Sequence, residues 1–268
     1  MMVELFGPPG VGKTTFARAL STRLRESGHS VDLMLSYRPA EGRSPPIERP
    51  AANRVASVPR RLGRPFLEVL AIAGQPFALL PDIRTAVALL RILPPRSTTF
   101  GIRLSQYIVR LSHSWRRAAT SGGIVLFDQA FVQLICSLVL LSRRVDESLI
   151  EDAMNIAPHS DLAIHLQAPT NILAARLEAR KSGQGLFERV LELDINTNLK
   201  LIDIVDQLHR LLVDREQSIV CASSLDRQSL DEAVKSTEEI LTAKLAASLP
   251  VTCRTKSHEV GRAGKSAA

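Results

Sequence analysis

Short apolar runs of strand length alternate along this chain with longer stretches whose apolar positions recur at helical spacing. Val3 to Phe6, Val31 to Leu35, Ile124 to Phe127, Leu162 to Leu166 and Ser218 to Cys221 are the strand candidates. Helical periodicity covers about 11–26, 129–141, 170–181, 186–213 and 229–246. In the first of these helices Phe16, Ala17, Leu20 and Leu24 share one face, and Gly28 supplies the stop. Strands separated by helices predict an α/β fold, a parallel five-stranded sheet with helices on both faces. Such a sheet binds ligands at the carboxyl ends of its strands.

Residues 43–120 interrupt this alternation. Arg43 to Pro65 carries Pro45, Pro46, Pro50, Pro59 and Pro65 among scattered arginines and reads as a loop. Phe66 to Leu93 is apolar but broken by Glu68, Gln75, Pro76, Pro81, Asp82, Arg84 and Arg91. It predicts two short helices over the sheet edge, or alternatively a partner-binding or interfacial surface. Ile102 to Arg117 has the pattern of an amphipathic helix. The chain therefore reads as one domain over 1–246 with a mostly helical insertion at about 43–120. Residues 250–268 are polar, small and basic and read as a disordered tail. No apolar run reaches the roughly 20 residues of a membrane span.

Composition narrows the class. Of 268 residues, 45% are hydrophobic and 23% charged, which excludes fibrous and disordered chains. Only 4% are aromatic, so the core is aliphatic. The three cysteines, Cys136, Cys221 and Cys253, are too few and too scattered for a disulfide framework or a zinc ribbon, which suits a cytoplasmic protein. The start, Met-Met-Val-Glu-Leu-Phe-Gly, has no basic stretch and predicts no cleaved leader. The net charge of +7 is uneven: residues 38–117 hold 14 arginines against four acids. That excess points to an anionic counterpart, of which phosphate is the simplest; no specific nucleic acid is expected. The six histidines show no H-E-x-x-H or other ligand spacing and read as structural or surface residues.

The strongest chemical signal is Gly7-Pro8-Pro9-Gly10-Val11-Gly12-Lys13-Thr14, which fits G-x-x-x-x-G-K-[ST] between a strand and a helix. Glycines let consecutive N–H groups turn inward around phosphates, and the helix that starts there adds its positive end. Lys13 brings a point charge to the β- and γ-phosphates, and the Thr14 hydroxyl is a hard oxygen ligand for Mg²⁺. Thr15 extends the nucleotide-binding set. Asp128 closes the run Ile-Val-Leu-Phe and is placed to hold Mg²⁺ or to accept a proton from an attacking hydroxyl. Arg176 and Arg180 are four apart on one helix face, followed by Lys181, Gly183 and Gly185. They read as a cationic lid, at about 176–189, that closes on a transferring phosphoryl group; a solvated basic face paired with Glu178 is the alternative. Arg103 and Arg110 share a helix face that meets an anionic acceptor or, alternatively, solvent.

These features together resemble the thymidylate kinase and deoxynucleoside kinase branch of the P-loop nucleoside and nucleotide kinases. The phosphate loop lies at the extreme N-terminus, and Tyr37-Arg38-Pro39-Ala40-Glu41-Gly42 follows the second strand as the family's Arg-Glu-Pro-Gly-Gly segment does. Asp128-Gln129 stands where the family has an acidic residue and Arg, and His165 to Glu188 is similar to its fourth strand, Pro-initiated helix and lid. Ser218 to Ala246 matches its last strand and helix. The resemblance implies an ATP- and Mg²⁺-dependent phosphotransferase. Arg38, Gln129 and Arg103 would lie at a small acceptor, which the family makes a nucleotide, and the protein would be cytoplasmic; a homodimer is compatible with this. Gln129 in place of Arg, and a long Arg-rich segment where the family has a short aromatic one, depart from the pattern. They leave open an alternative: a nucleotide-binding ATPase that uses 43–120 to hold a partner or membrane surface.

Overall fold

The computed structural model describes residues 1–36, 79–142, 145–182, 195–223 and 225–248, without the side chains of 180–182, 195–199 and 248. Its strands are β1 (Met2–Phe6), β2 (Val31–Met34), β3 (Ile124–Phe127), β4 (Leu162–Gln167) and β5 (Ile219–Ser223). The helices are α1 (Lys13–Glu26), α2 (Leu80–Ile92), α3 (Thr98–Ala119), α4 (Phe131–Leu141), α5 (Glu147–Ile156), α6 (Thr170–Ser182), α7 (Ile195–Asp214) and α8 (Arg227–Ser248). The strands form one parallel sheet in the order β2-β3-β1-β4-β5. The predicted α/β architecture and all its strands are present, each shifted by at most two residues at an end.

Period-two alternation splits the central strands between two cores. Val3 and Leu5, Ile124 and Leu126, and Leu162, Ile164 and Leu166 meet Phe16, Leu20 and Leu24 of α1, Leu173 of α6 and Leu241 of α8. Phe6, Val125, Phe127 and Ala163 face the other way, into a larger core with α2, α3, α4, α5 and α7. There Trp115 of α3 stands edge-on to Phe131, with ring centroids 5.3 Å apart, and tilts against Phe127 at 5.0 Å.

β1 lies centrally, with β3 on one side and β4 on the other. The chain thus leaves the sheet in opposite directions around β1, and the crevice at the carboxyl ends of β1 and β3 is the switch point where such sheets bind ligands.

Within the 43–120 stretch the described residues form α2 and α3, packed against one another; residues 37–78 lie outside those described, as does the tail. Of the two helices expected in Phe66 to Leu93, the described residues show α2, and 66–78 lie outside them. Helix α5 was not predicted. Asp146 starts it, its carboxylate accepting from the Leu149 N–H at 3.0 Å. The Arg116 guanidinium Nε donates to Asp82 at 2.8 Å, tying α3 to α2. No described helix is long and apolar enough to cross a membrane.

Candidate functional site

The loop from Gly7 to Gly12 joins β1 to α1 at the switch point. Its shape depends on backbone conformations that side chains resist. Gly7 has φ 151°, and a Cβ there would lie 2.4 Å from the Leu166 carbonyl oxygen of β4. Gly12, at φ 100°, caps α1 in the left-handed region. The loop is fastened at both ends. The Gly7 N–H donates to Gln133 Oε1 at 3.1 Å, and Lys13 Nζ donates to the carbonyls of Gly7 at 2.7 Å and Pro8 at 3.1 Å. Val11 is fully buried beneath it, and Lys13 is also buried. The first turn of α1 itself contains no acidic residue.

Asp128 follows β3 and is 1% exposed. The Thr14 hydroxyl donates to its Oδ2 at 2.8 Å. Ser36, just after β2, donates to Oδ1 twice, from its N–H at 2.6 Å and its hydroxyl at 2.7 Å. Among the described residues no lysine, arginine or histidine hydrogen-bonds or ion-pairs with this carboxylate. The structure thus brings the loop's Thr14 and the strand-end acid into direct contact. Both are hard oxygen donors. Two neighbouring ligands of an octahedral Mg²⁺, each about 2.0–2.1 Å from the ion, stand roughly 2.9 Å apart, close to the Thr14–Asp128 spacing.

Arg176 of α6 also reaches the loop. Its Nη1 lies 3.4 Å from the carbonyl oxygens of both Gly10 and Val11, while Nη2 donates to Leu225 O at 2.8 Å. With Gly12, Thr15, Leu225, Asp226 and Arg227 it lines a cleft of about 360 Å³ beside the loop. Asp226 caps α8. The N–H and then the hydroxyl of Ser229 hold its carboxyl below the usual range.

Gln129 is half-buried next to Asp128, whereas Arg103 is exposed on α3 and makes no described contact with the loop, Thr14 or Asp128. Arg110, on the same helix, is half-buried. Arg38, the side chain of Arg180 and the lid beyond Ser182 lie outside the described residues.

Ser36 and Gln133 were not anticipated. Gln133 had a signal, a single polar residue within the apolar stretch Phe-Val-Gln-Leu-Ile; Ser36 had none, because only the β2–β3 pairing delivers it to Asp128. Two more polar residues lie under the site on the α4 face of the sheet. Glu4 is 1% exposed and accepts from the Val132 N–H at 3.1 Å, and burial pushes its carboxyl up to about 7. His165 is pushed down to about 4 by burial, with the charges of His209 and Lys13 adding to the effect.

No family model and no curated protein matches the chain.

Proposed function

We propose that this chain is a cytoplasmic, ATP- and Mg²⁺-dependent phosphotransferase of the thymidylate-kinase-like type, acting on a small acceptor such as a nucleotide. The observation that carries this reading is the hydrogen bond between Thr14 and Asp128, residues 114 positions apart. It joins a glycine-built loop to a buried carboxylate that no lysine, arginine or histidine among the described residues pairs with.

Thr14 and Asp128 are the residues that would hold Mg²⁺, which when bound supplies charge neutralisation at the phosphate oxygens. The N–H groups of residues 10–14 bind the donor phosphates, and Lys13 adds its charge at the same end. Asp128 is also placed to take the proton of an acceptor hydroxyl. Arg176 braces the loop carbonyls, so that the N–H groups keep their direction when phosphate arrives. Catalysis in this scheme is positioning and charge stabilisation, with no covalent intermediate on the protein.

A second reading, an ATPase that uses nucleotide to control a partner, is favoured by one observation. Leu80, Ile83 and Val87 of α2 form an exposed apolar stripe.

Calorimetry with Mg²⁺ should detect ATP binding by the full chain, and Lys13→Ala should weaken it roughly 10- to 100-fold with an unchanged circular dichroism spectrum. Undiminished binding or turnover by that variant refutes the assignment. Labelled ATP offered with nucleosides, nucleoside monophosphates and sugars separates the two readings: phosphoryl transfer supports the first, slow phosphate release alone the second.

A further inference from the structure

Next to the phosphate loop, three side chains from three separate elements converge: His165 of β4, His209 of α7 and Cys221 of β5. One ligand atom from each lies within 4.8 Å of the other two. The convergence is a product of the fold. Parallel register sets His165 directly beside Cys221 across the β4–β5 pair, and α7, packed on the same face of the sheet, lowers His209 onto them. We propose that these three residues form a binding site for a borderline-soft divalent cation, Zn²⁺ being the best match.

Each ligand is prepared for that role by its surroundings. The His165 ring is fixed between two others, stacked on Phe6 with centroids 4.7 Å apart and an interplanar angle of 7°, and tilted against His209 at 4.6 Å. Its Nδ1 lies 3.2 Å from the Gln167 side-chain amide; with that amide turned so that Oε1 accepts from Nδ1–H, Nε2 is the ring nitrogen left to ligate. Holding the second nitrogen of a ligating imidazole from outside the coordination shell is how proteins orient such ligands. His209 Nε2 already lies 3.5 Å from Cys221 Sγ, close to the spacing of two donors on one tetrahedral ion with bonds of about 2.1 and 2.3 Å. Among the described residues no carboxylate hydrogen-bonds or ion-pairs with any of the three. The imidazoles are therefore not committed as partners of an acid.

The donor set decides the class of ion. Two imidazoles and a thiolate select zinc or its neighbours over Mg²⁺ and Ca²⁺, which require oxygen. The site is thus chemically orthogonal to the Thr14–Asp128 pair. Three protein ligands leave one tetrahedral position for water or an incoming group, and Cys221 is exposed, so solvent has access. The location is specific too. Phe6, which stacks on His165, immediately precedes Gly7, and Leu166 supplies the carbonyl that excludes a side chain at Gly7. An ion held here ties α7 to the edge of the sheet that carries the phosphate loop. The three positions share no short sequence spacing.

Titration of the reduced full chain with Co²⁺ tests the proposal, followed by competition with Zn²⁺. One equivalent should bind, with a near-ultraviolet thiolate-to-cobalt band and the strong visible bands of a tetrahedral centre. Cys221→Ser, at an exposed position, should abolish the thiolate band. Cys221→Ser and His209→Ala should each weaken Zn²⁺ binding about tenfold or more. Cobalt held instead by Thr14 and Asp128 would show no thiolate band and would survive both substitutions. That result overturns the proposal, as does a wild-type affinity equal to that of the Cys221→Ser/His209→Ala double variant. Neither outcome bears on nucleotide binding, which calorimetry with Mg²⁺ reads separately.

Discussion

Asp82 in α2 and Asp128 after β3 are each 1% exposed, yet their surroundings differ in kind. Around Asp82 the chain supplies its own countercharge: the Arg116 guanidinium bonds the carboxylate, and His113 Nδ1 lies 3.5 Å away. Around Asp128 the described residues supply hydroxyls and an N–H, from Thr14 and Ser36, and no cationic side chain. Hydrogen bonds satisfy the lone pairs of a buried carboxylate, but they do not cancel its charge. The Asp82 charge is therefore balanced within the α2–α3 layer. At the strand ends no described cation bonds the Asp128 carboxylate. The contrast separates an ion pair that joins two helices from a buried acid that the described residues hold by hydrogen bonds alone.

Four substitutions probe that contrast, in order of expected effect. Gly7→Ala places a methyl against the Leu166 carbonyl at a positive φ. It should cost about 4 kcal/mol in urea unfolding from strain and overpacking together; a loss below about 1 kcal/mol would mean that the cradle is softer than described. Glu4→Gln comes next. Because the folded state raises the Glu4 pKa from 4.5 to about 7, it binds a proton there more tightly than the unfolded chain does. The stability this contributes is complete below pH 4.5 and is lost as pH rises through about 7. At pH 8 the glutamine variant should be more stable than the parent by about 3 kcal/mol, and at pH 4 nearly equal to it. Unfolding curves at both pH values check the sign.

Asp82→Asn should cost about 2 kcal/mol, less than a fully buried pair would, because Arg116 remains partly in water. Asp128→Asn should change stability by less than about 1 kcal/mol, since an amide can still accept from Ser36 and meet the Thr14 hydroxyl. It should nevertheless remove the Mg²⁺ dependence of nucleotide binding. Were Asp128→Asn the more damaging of the two aspartate changes to stability, the contrast between the two regions would fail.

Legibility followed the range of the interactions. Ile124 to Phe127 could be placed to the residue because a buried central strand is a continuous apolar run ended by its first polar residue, Asp128. The Gly7–Gly12 turn was legible because its geometry is encoded in consecutive residues. Helix α5 was readable in principle from its Asp146 cap and from Leu149, Ile150, Ala153 and Met154 at helical spacing, but it is short and follows directly on another apolar helix. The Arg116–Asp82 pair could not be read, because charge counting treats every arginine in a basic segment alike. The arginine contacts expected on the lid and insertion divide accordingly: Arg176 reaches the loop, while Arg103 stays in solvent.

The amino-acid sequence alone determined the alternation of strands and helices, the glycine-built cradle at residues 7–14 and the acid that ends β3, because backbone conformation and side-chain periodicity are local properties. Strand order was a decision of the tertiary structure, and with it the meeting of Thr14, Asp128 and Ser36, the fastening of Gly7 by Gln133, and the convergence of His165, His209 and Cys221. Those contacts join residues far apart in the chain. Their partners are chosen by which strands lie side by side and which helix covers them, and that choice is made by burying the whole apolar surface at once.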